Sequence, residues 1–381
     1  MRQAVSIPDI PYARQIIDED DIAAVTAVLR SRFLTGGPLV EAFEDSVRSF
    51  AGAAHAVAVS SGTAALHAAM HALGIGAGDE VIVPPLTFAA TANCVLYAGG
   101  RPVFADVDPE TLLIDPQCVE AAITPRTKAV IGVDYAGQPC DWDSLNAVAR
   151  RHGLATVADA CHALGAEYKG RKAGTLADVT AFSFHPVKHV ATGEGGLCLT
   201  DDAVLADRMR VFRNHGIRST ATDREKSGAW FYEMTELGCN YRITDIQCAL
   251  GVSQMRKLPA WLERRRELAA RYDAAFACSG NAPRPLAVRP ECLHAYHLYV
   301  VRFPARDSLF TRLRQAGIGA NVHYIPVYLH PYYRDTLGLR PGLCPVAEAA
   351  YAHILTLPLW PGLRDEEVDA VVAACRDTAT E

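Results

Sequence analysis

Short β-branched runs alternate along this chain with longer stretches in which apolar residues recur every three to four positions. Ile22, Val25, Val28 and Leu29 follow the acidic start Asp18-Glu19-Asp20-Asp21 and give one helical face; Val40, Phe43, Val47 and Phe50 give a second. Ala56–Val59, Val81–Val83, Pro102–Ala105, Ala129–Val133, Ala155–Ala158, Thr180–Phe184 and Leu197–Thr200 then read as strands. Between them Thr63–Leu73, Phe88–Tyr97 and Asp143–Arg151 read as helices. Such alternation predicts an α/β fold: a large, mainly parallel sheet covered by helices, with ligands at the carboxyl ends of its strands.

The pattern changes near residue 245. A long helical stretch from Thr244 to Ala277, rich in Arg, Glu and Ala, is expected to break or kink at Pro259. After a Pro-rich segment come a strand (His297–Phe303), a helix (Ser308–Ala316), a strand (Ala320–Tyr324) and a terminal helix from Asp365. This predicts a smaller C-terminal α+β domain, with residues 1–250 in the large domain and 251–381 in the small one.

Composition narrows the function classes. The 381 residues are 50% hydrophobic, enough for two cores, and carry a net charge of −6, which gives no reason to expect nucleic acid. Anionic ligands must then be held by local groups. Eleven cysteines without a C-x-x-C pair read as core thiols of a reducing compartment, and the N-terminus lacks a signal-like apolar run, so a cytoplasmic protein is expected. Two uncharged stretches, Ala56 to Gly78 and Val81 to Gly100, are interrupted by Ser60-Ser61-Gly62-Thr63 and Pro84-Pro85, so neither reads as a membrane span.

Four strand ends carry candidate chemistry. After Thr180–Ser183 come a Pro186 bend, Lys188 and a Gly-rich turn. A lysine desolvated there becomes a nucleophile and base, whereas a plain hairpin lysine does nothing. Asp159 ends a buried strand before small residues; it can face the strand-end crevice or merely cap a helix. Ser61-Gly62-Thr63 leads into a helix whose first N–H groups suit a phosphate, although such residues cap helices everywhere. Phe88, at another strand-to-helix turn, can cover a flat ring or simply pack in the core.

Taken in order (phosphate turn, aromatic, aspartate, lysine), these pieces resemble the fold-type-I pyridoxal 5'-phosphate (PLP) enzymes of the sugar aminotransferase family. The motifs that carry the resemblance are Ser61-Gly62-Thr63-Ala64-Ala65-Leu66, Thr87-Phe88, Gly137-Gln138-Pro139, Asp159-Ala160-Cys161-His162-Ala163-Leu164-Gly165, Ser183-Phe184-His185-Pro186-Val187-Lys188, Gly193-Glu194-Gly195-Gly196 and Asn240-Tyr241-Arg242-Ile243-Thr244-Asp245-Ile246-Gln247. The resemblance implies Lys188 as the cofactor's anchor and proton-shuttling base, with Asp159 on the pyridine nitrogen. It places His162 by the ring hydroxyl, Phe88 on the ring face, and Gly62, Thr63 and Ser183 on the phosphate. Asn240 would reach the phosphate from the neighbouring subunit, which implies a homodimer with shared active sites. L-Glutamate would donate the amino group and a nucleotide-linked keto sugar would accept it. Val133-Asp134-Tyr135-Ala136-Gly137 and Val322-His323-Tyr324-Ile325-Pro326 are similar to the 4-aminotransferases of pseudaminic acid biosynthesis. That likeness implies a UDP-linked 4-keto-6-deoxy-N-acetyl sugar, met by Tyr12, Arg32, Leu34, Thr35, Asn321, His323 and Tyr324.

Amination at C3 or C4 of another nucleotide sugar stays open, as does a PLP-binding protein without turnover. A sugar-dehydrating relative is disfavoured, because that branch has His where this chain has Lys188. Gly74-Ile75-Gly76-Ala77-Gly78 follows a helix and reads as its C-cap, not a dinucleotide loop. No metal is expected from His67 and His71, since Ala68 stands where a zincin has Glu. Arg264-Arg265-Arg266 reads as a salt-bridged, solvated helix face, and the same is expected of Arg208 and Arg210.

Overall fold

The structure is a computed structural model describing residues 9–219, 224, 228–277 and 282–376. The Met1–Pro8 stretch read above for targeting signals lies outside these. In α1 (Glu19–Leu29) the Asp21 N–H donates to Asp18 Oδ1 at 3.1 Å and the Asp18 N–H to Asp21 Oδ2 at 3.3 Å, closing a reciprocal cap. The apolar face expected of this helix is only partly used: Val28 is buried, but Ile22 and Leu29 are exposed. α2 (Pro38–Ala51) starts on a proline and buries Phe43 and Val47.

The predicted alternation follows in β1 (His55–Val59), α3 (Gly62–Ala72), β2 (Glu80–Val83), α4 (Ala90–Tyr97), β3 (Arg101–Phe104), α5 (Pro116–Ala121), β4 (Thr127–Val133), α6 (Trp142–His152) and β5 (Ala155–Asp159). A short hairpin, β6 (Glu167–Tyr168) and β7 (Arg171–Lys172), precedes β8 (Val179–Ser183), β9 (Gly196–Thr200) and α7 (Ala203–Arg213). One sheet takes seven of these strands in the order β1-β9-β8-β5-β4-β2-β3. All its neighbours pair parallel except β9, which is antiparallel to β1 and β8. The central strands are buried on both faces, as their continuous apolar runs require. Register pairs Val59 and Ser183 with Gly196, Ala181 with Asp159, and Asp159 with Val133, so these strand ends share one edge.

α8 (Asp245–Ala277) runs as a single helix with Pro259 inside it, so the expected break does not occur. A helical proline costs about 3 kcal/mol, and α8 is anchored on both sides of it. Gln254 Nε2 donates to Asp21 Oδ2 at 2.9 Å, while Leu262 packs into the large core. Cys248, Met255, Leu258 and Leu262 belong to that core; Leu268, Ala269, Tyr272 and Phe276 belong to a second, smaller one. We propose two domains that share α8, with the cores dividing between Leu262 and Leu268.

The C-terminal elements are β10 (Arg284–Pro285), β11 (Cys292–Leu293), β12 (Tyr299–Arg302), α9 (Arg306–Gln315), α10 (Pro331–Leu337), α11 (Pro345–His353), β13 (Ile354–Leu357) and α12 (Asp365–Arg376). Of these, β12, α9, β13 and α12 supply the smaller core, whereas α10 and α11 bury Tyr333, Ala347 and Ala350 in the large one. β12 pairs antiparallel with β10 and β13. The strand expected over Ala320–Tyr324 is reduced to one bridge, Asn321 to Thr356. The Tyr135 hydroxyl donates to the His323 carbonyl, which draws the chain off the small sheet and towards the edge of the large one.

Two expectations for arginines need correction. Arg264 and Arg266 form the expected surface ion pairs with Glu267 and Glu263, but Arg265 between them is 1% exposed and meets backbone carbonyls instead. Arg208 and Arg210 are not simply solvated; they donate to the carbonyls of Ala72 and Ala56, which end α3 and lie in β1. Gly74 does cap α3, with the Ile75 N–H returning to the Met70 carbonyl at 3.0 Å. Among the described residues, no helix is long and apolar enough to cross a membrane.

Candidate active site

The crevice lies where strand ends of the large sheet meet the 320–324 segment. β5 delivers Asp159, which is buried. No helix follows for it to cap; instead Oδ2 accepts from the Thr91 hydroxyl at 2.6 Å and Oδ1 from the Cys161 N–H at 3.3 Å. Thr91 is itself 2.6 Å from the Thr87 hydroxyl, a pairing made by one turn of spacing at the start of α4. Two neutral donors do not offset a buried carboxylate, so Asp159 calls for a cation.

β8 delivers Ser183 and the tight turn that carries Lys188, whose N–H donates to the His185 carbonyl at 2.8 Å. Burial lowers the Lys188 pKa from the ordinary lysine value, and Cys161 and Asp159 oppose the drop. Its Nζ lies 3.4 Å from His297 Nε2. The His162 ring stands 4.4 Å from that of His297, and His162 Nε2 is 3.0 Å from the Tyr324 hydroxyl. Burial first, then Lys188, holds His162 and His297 well below the usual histidine range, so both are neutral. Lys188, Asp159, His162 and Tyr324 are thus brought together.

β1 leads into the mouth of α3. Ser61 Oγ accepts from the Ala64 N–H at 3.1 Å, while the N–H groups of Gly62 and Thr63 open the helix with no helical carbonyl opposite. A Cβ on Gly62 would sit 2.8 Å from Ser183 Cβ, and one on Gly196 would sit 2.1 Å from the Ser61 carbonyl oxygen. Only glycines let these three loops close into one anion socket. Phe88 stands at the mouth, 61% exposed, with its ring 6.2 Å from that of Tyr324. The packed-core alternative for Phe88 therefore fails.

Beyond Tyr324 the wall continues. His323 Nδ1 is 2.8 Å from the Thr356 hydroxyl and Nε2 is 3.3 Å from Asn321 Nδ2, while the Tyr12 ring lies 5.6 Å from His323. Arg32, Leu34 and Thr35 occupy an exposed loop docked on the residues that open α8: the Asp245 N–H donates to the Leu34 carbonyl at 3.0 Å, and Thr35 bridges to Thr244. Asn240 is exposed and pairs with Asn214. His67 is 3.0 Å from the Tyr241 hydroxyl and His71 stacks on Phe212, both ordinary packing roles. Thr91 and His297 were assigned no part by sequence reasoning. The four-residue spacing from Thr87 could have flagged Thr91; no local signal marks His297.

A model of the DegT/DnrJ/EryC1/StrS aminotransferase family matches residues 15–376. The chain belongs to that family. The spore coat polysaccharide biosynthesis protein SpsC of Bacillus subtilis (strain 168) is 45% identical over 97% of this chain and 96% of its own length. The putative sugar aminotransferase Spr1654 of Streptococcus pneumoniae, solved in a PMP-form, superposes with a TM-score of 0.92 at 33% identity, covering 97% of this chain and 98% of that one. Helicobacter pylori PseC, an aminotransferase involved in pseudaminic acid biosynthesis, gives 0.90 at 32% identity over 97% and 98%. The resemblance drawn from the motifs therefore holds, and the family member is a PLP-dependent aminotransferase. Its residues fit that cofactor: an anion socket closed by glycines, a buried carboxylate short of a cation, and a desolvated amine.

Proposed function

We propose that this aminotransferase moves an amino group from L-glutamate to C4 of a UDP-linked 4-keto-6-deoxy-N-acetyl sugar. The observation that carries the reading is the single connected wall from Lys188 through His297, His162 and Tyr324 to His323 and Asn321. It sets a proton-moving amine beside neutral polar groups and aromatic faces, the surface a sugar needs. The likeness to PseC, and to a spore coat polysaccharide protein, supports an amino sugar as product.

Bound here, PLP supplies an electron sink for the carbon whose proton is moved. Asp159, kept in place by Thr91, would hold the ring nitrogen protonated. Gly62, Thr63 and Ser183 would hold the phosphate. Lys188 takes the proton from one carbon and returns it to the next, work that needs its lone pair free near neutral pH; its lowered pKa moves it in that direction. His162 would stand by the ring hydroxyl and Phe88 on the ring face, while Tyr324, neutral, would orient the acceptor without adding a competing charge. Tyr12, Asn321 and His323 meet the sugar, while Arg32, Leu34 and Thr35 meet the nucleotide from the exposed loop.

A homodimer with shared sites belongs to the same proposal. Asn240 is exposed, and in the ten residues before it Trp230, Phe231, Met234 and Leu237 are exposed apolar side chains that a second copy would cover. Nine described cysteines, from Cys94 to Cys344, are free thiols, in keeping with the cytoplasm. The deciding experiment offers the enzyme glutamate and a panel of UDP- and dTDP-linked 3-keto and 4-keto sugars, with products read by NMR. Amination at C4 of the UDP-N-acetyl substrate is expected. Preference for a dTDP sugar, or for C3, would replace the substrate assignment and leave the enzyme class standing.

A further inference from the structure

The segment His294–Leu298, which joins the two cores, is held from several sides. The Ala295 N–H donates to the Gly137 carbonyl at 2.9 Å and the Leu298 N–H to the Ala136 carbonyl at 3.1 Å. His189 Nε2 lies 3.0 Å from the Ala295 carbonyl. The buried Arg265 donates from Nη1 to the carbonyls of Tyr296 and Leu359, both at 3.0 Å, and reaches that of His297 at 3.5 Å. A buried guanidinium that meets carbonyls but no carboxylate among the described residues is costly to keep. Tyr296 takes φ +49°, a left-handed conformation that a bulky residue holds only when its surroundings enforce it.

This clamp fixes one side chain. His297 is buried, with Nε2 3.4 Å from Lys188 Nζ, its ring 4.4 Å from His162 and 5.6 Å from His189, and Nδ1 without a partner among the described residues. A free lysine amine has two N–H bonds and one lone pair, on a side chain with four rotatable bonds. Tying one N–H restricts where the lone pair points.

We propose that His297 is a positioning residue: its Nε2 accepts a hydrogen bond from the Lys188 amine whenever that amine is free, and so aims the lone pair at the carbon that loses its proton. Arg265 sets the height of His297 through the backbone on either side. The proposal rests on the reading of Lys188 as the proton-moving base.

The test compares His297→Leu, His297→Asn and His297→Gln. Asn is polar enough to be tolerated but too short to reach Nζ, whereas Gln reaches it. Lys188 reactivity is read in the full chain without cofactor, as the pH dependence of reductive methylation followed by peptide mass spectrometry. The Leu and Asn variants should shift the Lys188 midpoint to lower pH by roughly half to one unit, because the ammonium loses an acceptor. In the loaded enzyme their kcat should fall about tenfold or more, with KM for glutamate within about twofold. His297→Gln should restore the midpoint and most of kcat. An unchanged midpoint and kcat in both short variants, or no restoration by Gln, would overturn the proposal. Borohydride reduction of the loaded wild type separates this failure from a deeper one: a label on any lysine but Lys188 removes the reading beneath it.

Discussion

Asp159 shows how much one buried carboxylate organises. Its two donors are neutral, and each fixes one oxygen. Asp159→Asn keeps the shape but removes the charge proposed to hold the ring nitrogen protonated, so kcat should drop by about 100-fold or more. Thr91→Val deletes the 2.6 Å bond to that carboxylate; a hydrogen bond to a charged group contributes about 1.5–3 kcal/mol, so turnover should fall roughly ten- to a hundredfold. Steady-state kinetics on both variants checks these figures, and a Thr91→Val enzyme at wild-type rate would show that Asp159 needs no such support. At this scale the sequence was informative where the crevice rests on local motifs: Lys188, Asp159 and the Gly62 turn, picked out as candidates, do meet at one strand-end edge. Thr91 and His297 were less legible, because each touches a residue that only folding brings near.

Elements explain where reading the chain succeeded and where it stopped. The central strands of the large sheet are buried on both faces, so their apolar runs stand out and their ends fall within one or two residues of expectation. The 320–324 segment has the same local pattern but is claimed by Tyr135 from the other core, a tertiary choice that no periodicity records. Pro259 and Arg265 mislead for a similar reason, since both are local liabilities settled by neighbours far along the chain. The turns between elements make a sharper prediction. Gly196→Ala would drive a Cβ to within 2.1 Å of the Ser61 carbonyl oxygen. The variant should lose ~2 kcal/mol or more of stability and bind the cofactor phosphate more weakly. Thermal unfolding and cofactor dissociation measure both; an Ala variant unchanged in each would mean the socket is looser than drawn.

The whole molecule keeps a band of neutral histidines between its two cores. Burial pushes His294 and His323 down to about 3, and His162, His189 and His297 well below the usual range. An unfolded histidine titrates near 6.5, so below that pH the unfolded chain binds more protons than the folded one. The stability these groups contribute is therefore complete above about pH 6.5 and lost as the pH falls towards 3. Tm should decline clearly between pH 7.5 and pH 5, and His294→Asn should flatten part of the decline. A Tm level across that range would contradict the buried, neutral assignment. Shared sites have their own test at this scale. Lys188→Ala and Asn240→Ala subunits, each inactive alone, should regain about a quarter of wild-type activity when unfolded and reassembled in equal amounts, since each hybrid holds one intact site. No recovery would place Asn240 in its own subunit's function.

Everything proposed for this enzyme depends on one amine. The most direct measurement is borohydride reduction of the PLP-loaded protein, followed by peptide mass spectrometry. A single phosphopyridoxyl adduct on Lys188, absent from a folded Lys188→Ala variant, is expected. An adduct on another lysine, or transamination surviving in that variant, would contradict it.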